Sequence, residues 1–284
     1  MALLRFERVG EARILQMEAA RTAAAALADA YRAADPFPHA VIDDFIDAEL
    51  LDEVLEEFPD RTGQRYFDRA QERYKFQFSP NELRSPCIRA LFQELNGAAM
   101  LQFLSTLTGI PKLLPDPYFA GGGLHETLRG GHLSVHADFN VHRQLNLQRR
   151  LNLLVYLNRD WPDEYGGALE LWDRTMTRCV KKVPPLFGRA VVFTTDSDSF
   201  HGHPEPLTCA DHRSRRSIAL YYYTAPEDGI NSLLERNTVF KERPGSHDRR
   251  DREVASLHFI NDWTPPRLRP LAMRIHGRLF SRGS

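Results

Sequence analysis

The sequence predicts a mainly β fold (α+β) in which helices precede a set of short strands. From Tyr118 onward, short apolar or aromatic-rich runs alternate with turn residues, as is typical of strands. The part before Tyr118 instead carries apolar residues at helical spacing. Evenly spaced short strands that follow helices indicate a β-sandwich or jelly roll with the helices packed on one sheet.

Four helical segments are predicted before residue 118. Asp47 is the expected N-cap of the second, and Ser85 with Pro86 begins the third. Gly109 is expected to close the fourth. The segments cover residues 18–34, 47–58, a stretch starting at 85, and about 98–107. A short strand is expected at 39–45, and the polar, aromatic stretch 61–80 predicts a loop with a piece of strand.

The strands of the second half are separated by glycines and other turn residues. After Pro226 the pattern weakens, with a charged, solvated loop expected at 241–252 and a late helix at 265–280. We therefore divide the chain into an N-terminal helical segment (1–35), a main domain (36–226) and a partly mobile C-terminal extension (227–284). The predicted strands are 133–139, 151–157, 168–172, 190–194 and 217–224.

Composition excludes several classes of protein. The formal net charge of −1 gives no global field for nucleic acid or for a membrane surface. Cys87, Cys179 and Cys209 are scattered, which predicts a reducing compartment and no disulfide framework. Charges within the first residues argue against a secretory signal, and no apolar run reaches the roughly 18 residues of a membrane span. A cytoplasmic protein is the expectation.

The strongest chemical motif is His136-Ala137-Asp138 on a predicted strand. Residues i and i+2 of a strand point to the same face, so the imidazole and the carboxylate are placed to bind one metal ion. A second histidine from a neighbouring strand would complete a 2-His-1-carboxylate triad, which leaves coordination positions open. The tripeptide is common, so its significance depends on whether suitable partners occur later in the chain.

Three downstream features are consistent with such a site. His201 and His203 come after the apolar strand 190–194. Arginines 213, 215 and 216 lie at the start of the last strand, and a guanidinium inside a barrel is suited to holding a carboxylate. Tyr156 can add a hydrogen bond from its hydroxyl. Each feature is ordinary alone, but their joint order makes coincidence a poor explanation.

The order of these residues along the chain resembles that of the iron(II)- and 2-oxoglutarate-dependent oxygenases. The residues concerned are His136, Asp138, His201 and Arg215. The resemblance is closer to the prolyl 4-hydroxylase-like branch of these enzymes, through YLNRDW (156–161), GGALELW (166–172) and PFPHAVIDDFID (36–47). It covers residues 36–226 and implies a double-stranded β-helix. It also implies Fe(II) held by His136, Asp138 and His201, with 2-oxoglutarate as co-substrate and O2 as oxidant.

The resemblance also selects between neighbouring residues. His201 is preferred over His203 because family members often read H-x-V here, with the first residue as ligand. Arg215 is preferred over Arg216 because the family commonly reads R-x-S-I, and alternation puts Arg215 on one face with Ser217. Tyr156 matches a tyrosine that hydrogen-bonds the co-substrate in related hydroxylases.

Alternation gives further candidates for the pocket wall. His132 lies four residues before His136 on the predicted strand, so it would share the face of that ligand, although we favour an ordinary surface or loop histidine at this position. Asn152, Leu154 and Tyr156 share a face by the same rule.

The reaction implied is oxidative decarboxylation of 2-oxoglutarate, which gives succinate and CO2, coupled to hydroxylation of an unactivated C–H bond. Halogenating relatives have a small residue in place of the carboxylate, so Asp138 favours hydroxylation. The substrate, a peptide, an amino acid or a natural-product intermediate, is left open, as is the oligomeric state. Two alternatives are a cupin-like metal-dependent isomerase or hydrolase that does not use 2-oxoglutarate, and a non-catalytic β-helix binding module.

Overall fold

The computed structural model describes residues 1–10, 12–226, 236–246 and 248, together with scattered positions between 256 and 276. The described helices are α1 (Met17–Arg32), α2 (Ala48–Glu56), α3 (Pro86–Leu95) and α4 (Ala98–Thr108), with a 3-10 turn at Asp163–Tyr165. The described strands are β1 (Phe6–Val9), β2 (Ala12–Leu15), β3 (His39–Ile42), β4 (Arg65–Arg69), β5 (Glu72–Phe78), β6 (Leu114–Pro115), β7 (Gly123–Ala137), β8 (Val141–His142), β9 (Leu147–Tyr156), β10 (Leu169–Trp172), β11 (Cys179–Val183), β12 (Ala190–Thr194), β13 (His201–His203), β14 (Ser214–Thr224) and β15 (Val239–Phe240).

One antiparallel sheet contains most of these strands and curls into a nearly closed barrel. Its main path runs β11-β10-β13-β7-β14-β9-β12-β3. The long strand β7 belongs to both sides of the barrel: Leu128 in its first half pairs with Ser214 of β14, and His136 in its second half pairs with His201 of β13. This is a double-stranded β-helix, which confirms the predicted fold class.

The helices cover the outer face of one side of the barrel, as the sequence predicts. Ala24 of α1 and Phe92 of α3 share a buried core with Leu153 of β9, Val192 of β12 and Leu220 of β14. Strand β9 lies between β14 and β12, so the predicted strand 151–157 runs through the middle of the sheet. Apolar side chains facing the barrel interior form a second cluster of their own.

The three predicted helix-end residues occupy the positions that the sequence predicts. The hydroxyl of Ser85 accepts a hydrogen bond from the backbone N–H of Ile88 at 3.0 Å, with Pro86 in the first turn. Gly109 ends α4 with φ of +75°. Asp47 is the N-cap residue of α2 as predicted, but its carboxylate accepts from the backbone N–H of Phe6 at 2.9 Å and makes no capping hydrogen bond within the helix.

Two hairpins go beyond the prediction. The first, β1–β2, precedes α1 and buries mainly Phe6 and Leu15, too few apolar residues to show a period. The second, β4–β5, replaces most of the loop expected at 61–80, and β5 also pairs with β7. Lys75 and Gln77 are buried on one face of β5, while Phe76 and Phe78 on the other face pack against the main core, so this strand alternates but buries polar residues on its inward face.

The last part of the chain is described only in pieces. Strand β15 pairs with the end of β7. Residues 241–246 and 248 of the expected loop at 241–252 are described and contain no helix or strand, whereas most of the helix expected at 265–280 lies outside the described residues. The division into three parts stays a prediction. Leu4, Phe6 and Leu15 belong to the same core as the barrel strands. No helix in the described part of the chain is long and apolar enough to cross a bilayer.

Replacing Leu220 by alanine should destabilise the fold by about 2–5 kcal/mol, since Leu220 is almost fully buried between the sheet and the helices. Leu114→Ala is the matched control, because Leu114 is 40% exposed and should lose much less. Urea unfolding followed by circular dichroism measures both free energies of unfolding. Equal losses in the two variants would contradict this account of the core.

Candidate metal centre and co-substrate pocket

The structure brings His136, Asp138 and His201 together at the mouth of the barrel. His136 is near the end of β7, Asp138 comes directly after that strand, and His201 opens β13 opposite His136. One possible ligand atom from each residue lies within 4.8 Å of the others. The carboxylate oxygens of Asp138 are 3.5 Å from Nε2 of His136 and 3.5 Å from Nε2 of His201. All three side chains are buried.

A backbone carbonyl lies next to Nδ1 of each histidine ring. Nδ1 of His136 lies 2.9 Å from the carbonyl oxygen of Ser134, and Nδ1 of His201 lies 2.9 Å from that of Ser199. A neutral ring that donates from Nδ1 keeps its lone pair on Nε2, which faces the carboxylate. Burial lowers the pKa of His201 to about 4, so this ring is neutral at physiological pH. Two imidazole nitrogens and one carboxylate fit the facial triad of iron(II) oxygenases.

Asp138 is fixed by two neighbours on β9. Asn152 donates a hydrogen bond to Oδ2 at 2.8 Å, and Nη2 of Arg149 lies 3.1 Å from the same oxygen. Burial by itself raises the pKa of Asp138, but Arg149 and the two histidines hold it well below its usual value. The carboxylate is therefore ionised and oriented.

The other two histidines considered from the sequence lie apart from the triad. His203 is buried in the adjoining cavity, where its Nδ1 has no hydrogen-bond partner among the described residues. His132 faces a different cavity, with Nε2 3.1 Å from the carbonyl oxygen of Ala70. The expectation that His132 shares the face of His136 is wrong, because an irregularity in β7 between Leu133 and His136 interrupts the alternation of faces.

A cavity of about 70 Å³ connects the triad with Arg215. Arg215 is only 6% exposed, and its Nε donates to the carbonyl oxygen of Gly167 at 2.7 Å. No carboxylate among the described residues forms an ion pair with it, and burial lowers its pKa. Its guanidinium lies 5.0 Å from the ring centroid of Tyr156, whose buried hydroxyl has no hydrogen-bond partner in the described chain. The end of the cavity remote from the triad thus offers donors that match a carboxylate.

The other two arginines of the sequence motif point elsewhere. Nε of Arg216 donates to Glu126 at 3.1 Å, and its guanidinium packs on the ring of Phe58. Arg213 donates to the carbonyl oxygen of Asp160 at 3.1 Å on the surface. Of the three, Arg215 alone lines the cavity.

Sequence reasoning missed several residues of the site. Lys75 reaches the cavity from β5, His125 and Thr127 from the first half of β7, and Arg149 supports Asp138 from β9. The spacing of His125 and Thr127 places them on one strand face and was a usable signal. Lys75 and Arg149 carried no such signal in the sequence, because only the pairing of distant strands brings them to the site.

Residues 122–223 match the family model described as the 2OG-Fe(II) oxygenase superfamily. This part of the chain is a 2OG-Fe(II) oxygenase domain. The oxygenase therefore depends on iron(II) and 2-oxoglutarate, as the order of its motifs predicts. The cupin-like enzyme and the binding module, considered above as alternatives, are not favoured.

Solved structures agree with this fold. A prolyl hydroxylase from Trichoplax adhaerens, in complex with a hypoxia inducible factor peptide fragment, superposes with a TM-score of 0.53 at 18% identity, covering 73% of this chain and 92% of that one. A prolyl 4-hydroxylase from Phytophthora capsici gives 0.53 at 19% identity, covering 98% and 81%. None of the curated protein sequences matches the chain. At these identities the likeness establishes the shared fold.

Gly202, between His201 and His203, has no room for a side chain. A Cβ there would lie 2.8 Å from the carbonyl oxygen of Leu133 and 2.9 Å from that of Ser134. Gly202→Ala should therefore push β13 away from β7 and lower metal affinity by about 10- to 100-fold, comparable to losing a partner that orients a ligand. Anaerobic titration with Fe(II) measures the affinity.

Gly63→Ala serves as the control for this prediction. Gly63 has φ of +71° with open space around it, so its replacement strains the backbone without moving a strand of the site. Wild-type metal affinity in Gly202→Ala would contradict the expected displacement of His201.

Proposed function

We propose that this oxygenase hydroxylates an unactivated C–H bond of a substrate held beside iron bound by His136, Asp138 and His201. Arg215 and Tyr156 would bind the distal carboxylate of 2-oxoglutarate. The observation that carries the proposal is the buried, uncompensated Arg215 at one end of a cavity whose other end is the triad. A buried guanidinium without a counter-charge is costly unless a ligand supplies the charge.

When bound, iron(II) and 2-oxoglutarate supply an oxygen-dependent decarboxylation to succinate and CO2 that is coupled to oxidation of the substrate. The chain's own residues position the reactants. Asn152 and Arg149 orient the carboxylate of Asp138, and backbone carbonyls fix the ring of each histidine. Leu154 and Leu169 line the cavity and help to exclude water from it.

Two features support hydroxylation by an oxygenase of this kind over its alternatives. Asp138 occupies the position that halogenating relatives leave to a small residue. A cupin-like isomerase or hydrolase has no need of a buried arginine next to the metal. The substrate remains a peptide, an amino acid or a natural product. The three cysteines are free, which is consistent with the proposed cytoplasmic location.

Arg215→Ala should weaken 2-oxoglutarate binding by on the order of 2–5 kcal/mol, or about 30- to several-thousand-fold, because it removes a charge-assisted pair in a confined cavity. Arg215→Lys should recover part of the affinity, since a point charge cannot reproduce the guanidinium fork. Calorimetry on the Mn(II)-loaded protein measures the dissociation constant.

Arg216→Ala is the matched control, because Arg216 pairs with Glu126 outside the cavity. Wild-type affinity in Arg215→Ala with a large loss in Arg216→Ala would transfer the role to the neighbour. No 2-oxoglutarate binding by the wild type would refute the proposed function.

His201→Ala should reduce Fe(II) affinity by more than the roughly 10- to 100-fold that losing a hydrogen-bond partner of a ligand costs, because it removes a ligand outright. His203→Ala should have a much smaller effect, since His203 is buried to a similar extent but lies outside the triad. Anaerobic Fe(II) titration of both variants gives the comparison. The reverse ranking would make His203 the ligand.

A further inference from the structure

The triad also borders a second and larger space. A cleft of about 830 Å³ opens to solvent on the outer side of His136 and Asp138. Its volume falls within the roughly 300–1,000 Å³ that is usual for small-molecule sites. The 70 Å³ cavity is reserved in our proposal for 2-oxoglutarate, so this cleft is the available place for the substrate.

The walls of the cleft are strongly basic. Its described lining includes six cationic side chains: Arg65, Arg69, Lys75, Arg143, Arg149 and Arg236. Glu72 and Asp138 are the carboxylates among the described lining residues, and both are engaged. Glu72 accepts a hydrogen bond from Lys75 at 2.8 Å, and Asp138 belongs to the triad. This excess of positive charge raises the local concentration of anions.

Arg149 holds an unused donor at the edge of the triad. It is 3% exposed, and its guanidinium lies 4.5 Å from the ring centroid of Phe139 and 3.5 Å from that of Tyr221. Nε and Nη2 donate to Oδ1 of Asn152 at 3.1 and 2.7 Å. Nη1 is buried and has no hydrogen-bond partner in the described chain. An unmade hydrogen bond from a buried charged group is costly, so a ligand at Nη1 gains more than it would on the surface.

Arg236, another residue of the cleft lining, also has a buried donor without a hydrogen-bond partner among the described residues. Its Nη2 donates to the carbonyl oxygens of Asp138 at 3.0 Å and of Asp196 at 3.2 Å, which anchors the guanidinium. Its Nε is buried and likewise lacks a hydrogen-bond partner among the described residues. Both unused donors therefore belong to arginines in contact with Asp138, one with its side chain and one with its backbone.

We propose that the substrate is a small molecule with a carboxylate or phosphate group, which Arg149 and Arg236 bind beside the metal. The inference rests on the proposed function and names its substrate class. Two unused donors grouped around one residue suit a single anionic group, whereas an acidic peptide would need several such unpartnered donors spaced along an extended groove. Since Nη2 of Arg149 is 3.1 Å from Asp138, an anion at Nη1 places the carbons next to it near the triad.

The test measures binding of benzoate and phenyl phosphate to protein loaded with Mn(II) and saturated with 2-oxoglutarate. Benzamide, which has the same ring without the charge, is the matched probe. We expect both anions to bind at least about tenfold more tightly than benzamide, as a charge-assisted hydrogen bond implies. Relaxation of the probe protons by Mn(II) should show that the bound anions lie close to the metal.

Arg149→Gln and Arg236→Gln should each weaken anion binding by about 10- to 100-fold. Arg21→Gln is the control, because Arg21 is an exposed arginine on α1 that pairs with Glu18. Affinity for 2-oxoglutarate is measured in every variant. If Arg149→Gln does not fold, Arg236→Gln decides. A preference for benzoate or for phenyl phosphate supports the proposal and identifies the group.

Three results would overturn the inference while the proposed function stands. The first is equal binding of benzoate and benzamide by a wild type that binds 2-oxoglutarate. The second is anion binding that disappears when 2-oxoglutarate saturates the protein, which would assign it to Arg215. The third is a tetraglutamate peptide that binds at least about tenfold more tightly than both probes, which would make the substrate an acidic peptide. A wild type that does not bind 2-oxoglutarate would instead refute the proposed function.

Discussion

The pairing of β13 with β7 is the constraint on which the site depends. It sets His201 opposite His136, and the next residue after β7 is Asp138, so one register places all three side chains. A slip of one residue would turn the face of a whole strand, because side chains alternate with a period of two. Gly202 allows the two backbones to approach closely enough for this register. The chemistry of the centre is thus a property of sheet geometry.

The barrel interior buries cationic side chains, which are exposed in most proteins. Arg215, Arg149 and Lys75 are each buried, and each keeps part of its hydrogen bonding within the protein: to Gly167, to Asn152 and to Glu72. Removing such groups from water is expensive, and these contacts offset only part of the cost. The N–H donors of these side chains that are not engaged in such contacts add very little to the stability of the ligand-free fold. Bound anions would stabilise it further by mass action, so stability and ligand recognition are coupled here.

The sequence predicts those features of the structure that depend on residues close together in the chain. The pair His136 and Asp138 follows from strand alternation alone, and Ser85 with Gly109 marks helix ends by their own chemistry. The jelly roll follows from the spacing of strands. The hairpin β4–β5 was not predictable in this way, because its inward face is polar where the usual pattern expects apolar residues.

Arg149 shows most clearly why the rest of the site cannot be read from the sequence. It lies seven residues before Tyr156 on a basic stretch that resembles a solvated turn, and its burial depends on the rings of Phe139 and Tyr221 from two other segments. Once it is buried, its planar guanidinium connects two functions. Nη2 lies against the carboxylate of Asp138, Nη1 of the same rigid group is buried without a hydrogen-bond partner in the described chain, and the residue lines the large cleft. A ligand that moves one end of this plane must also move the other. In the proposed function, the carboxylate of Asp138 that would hold the metal and the occupant of the cleft would therefore be coupled through a single side chain.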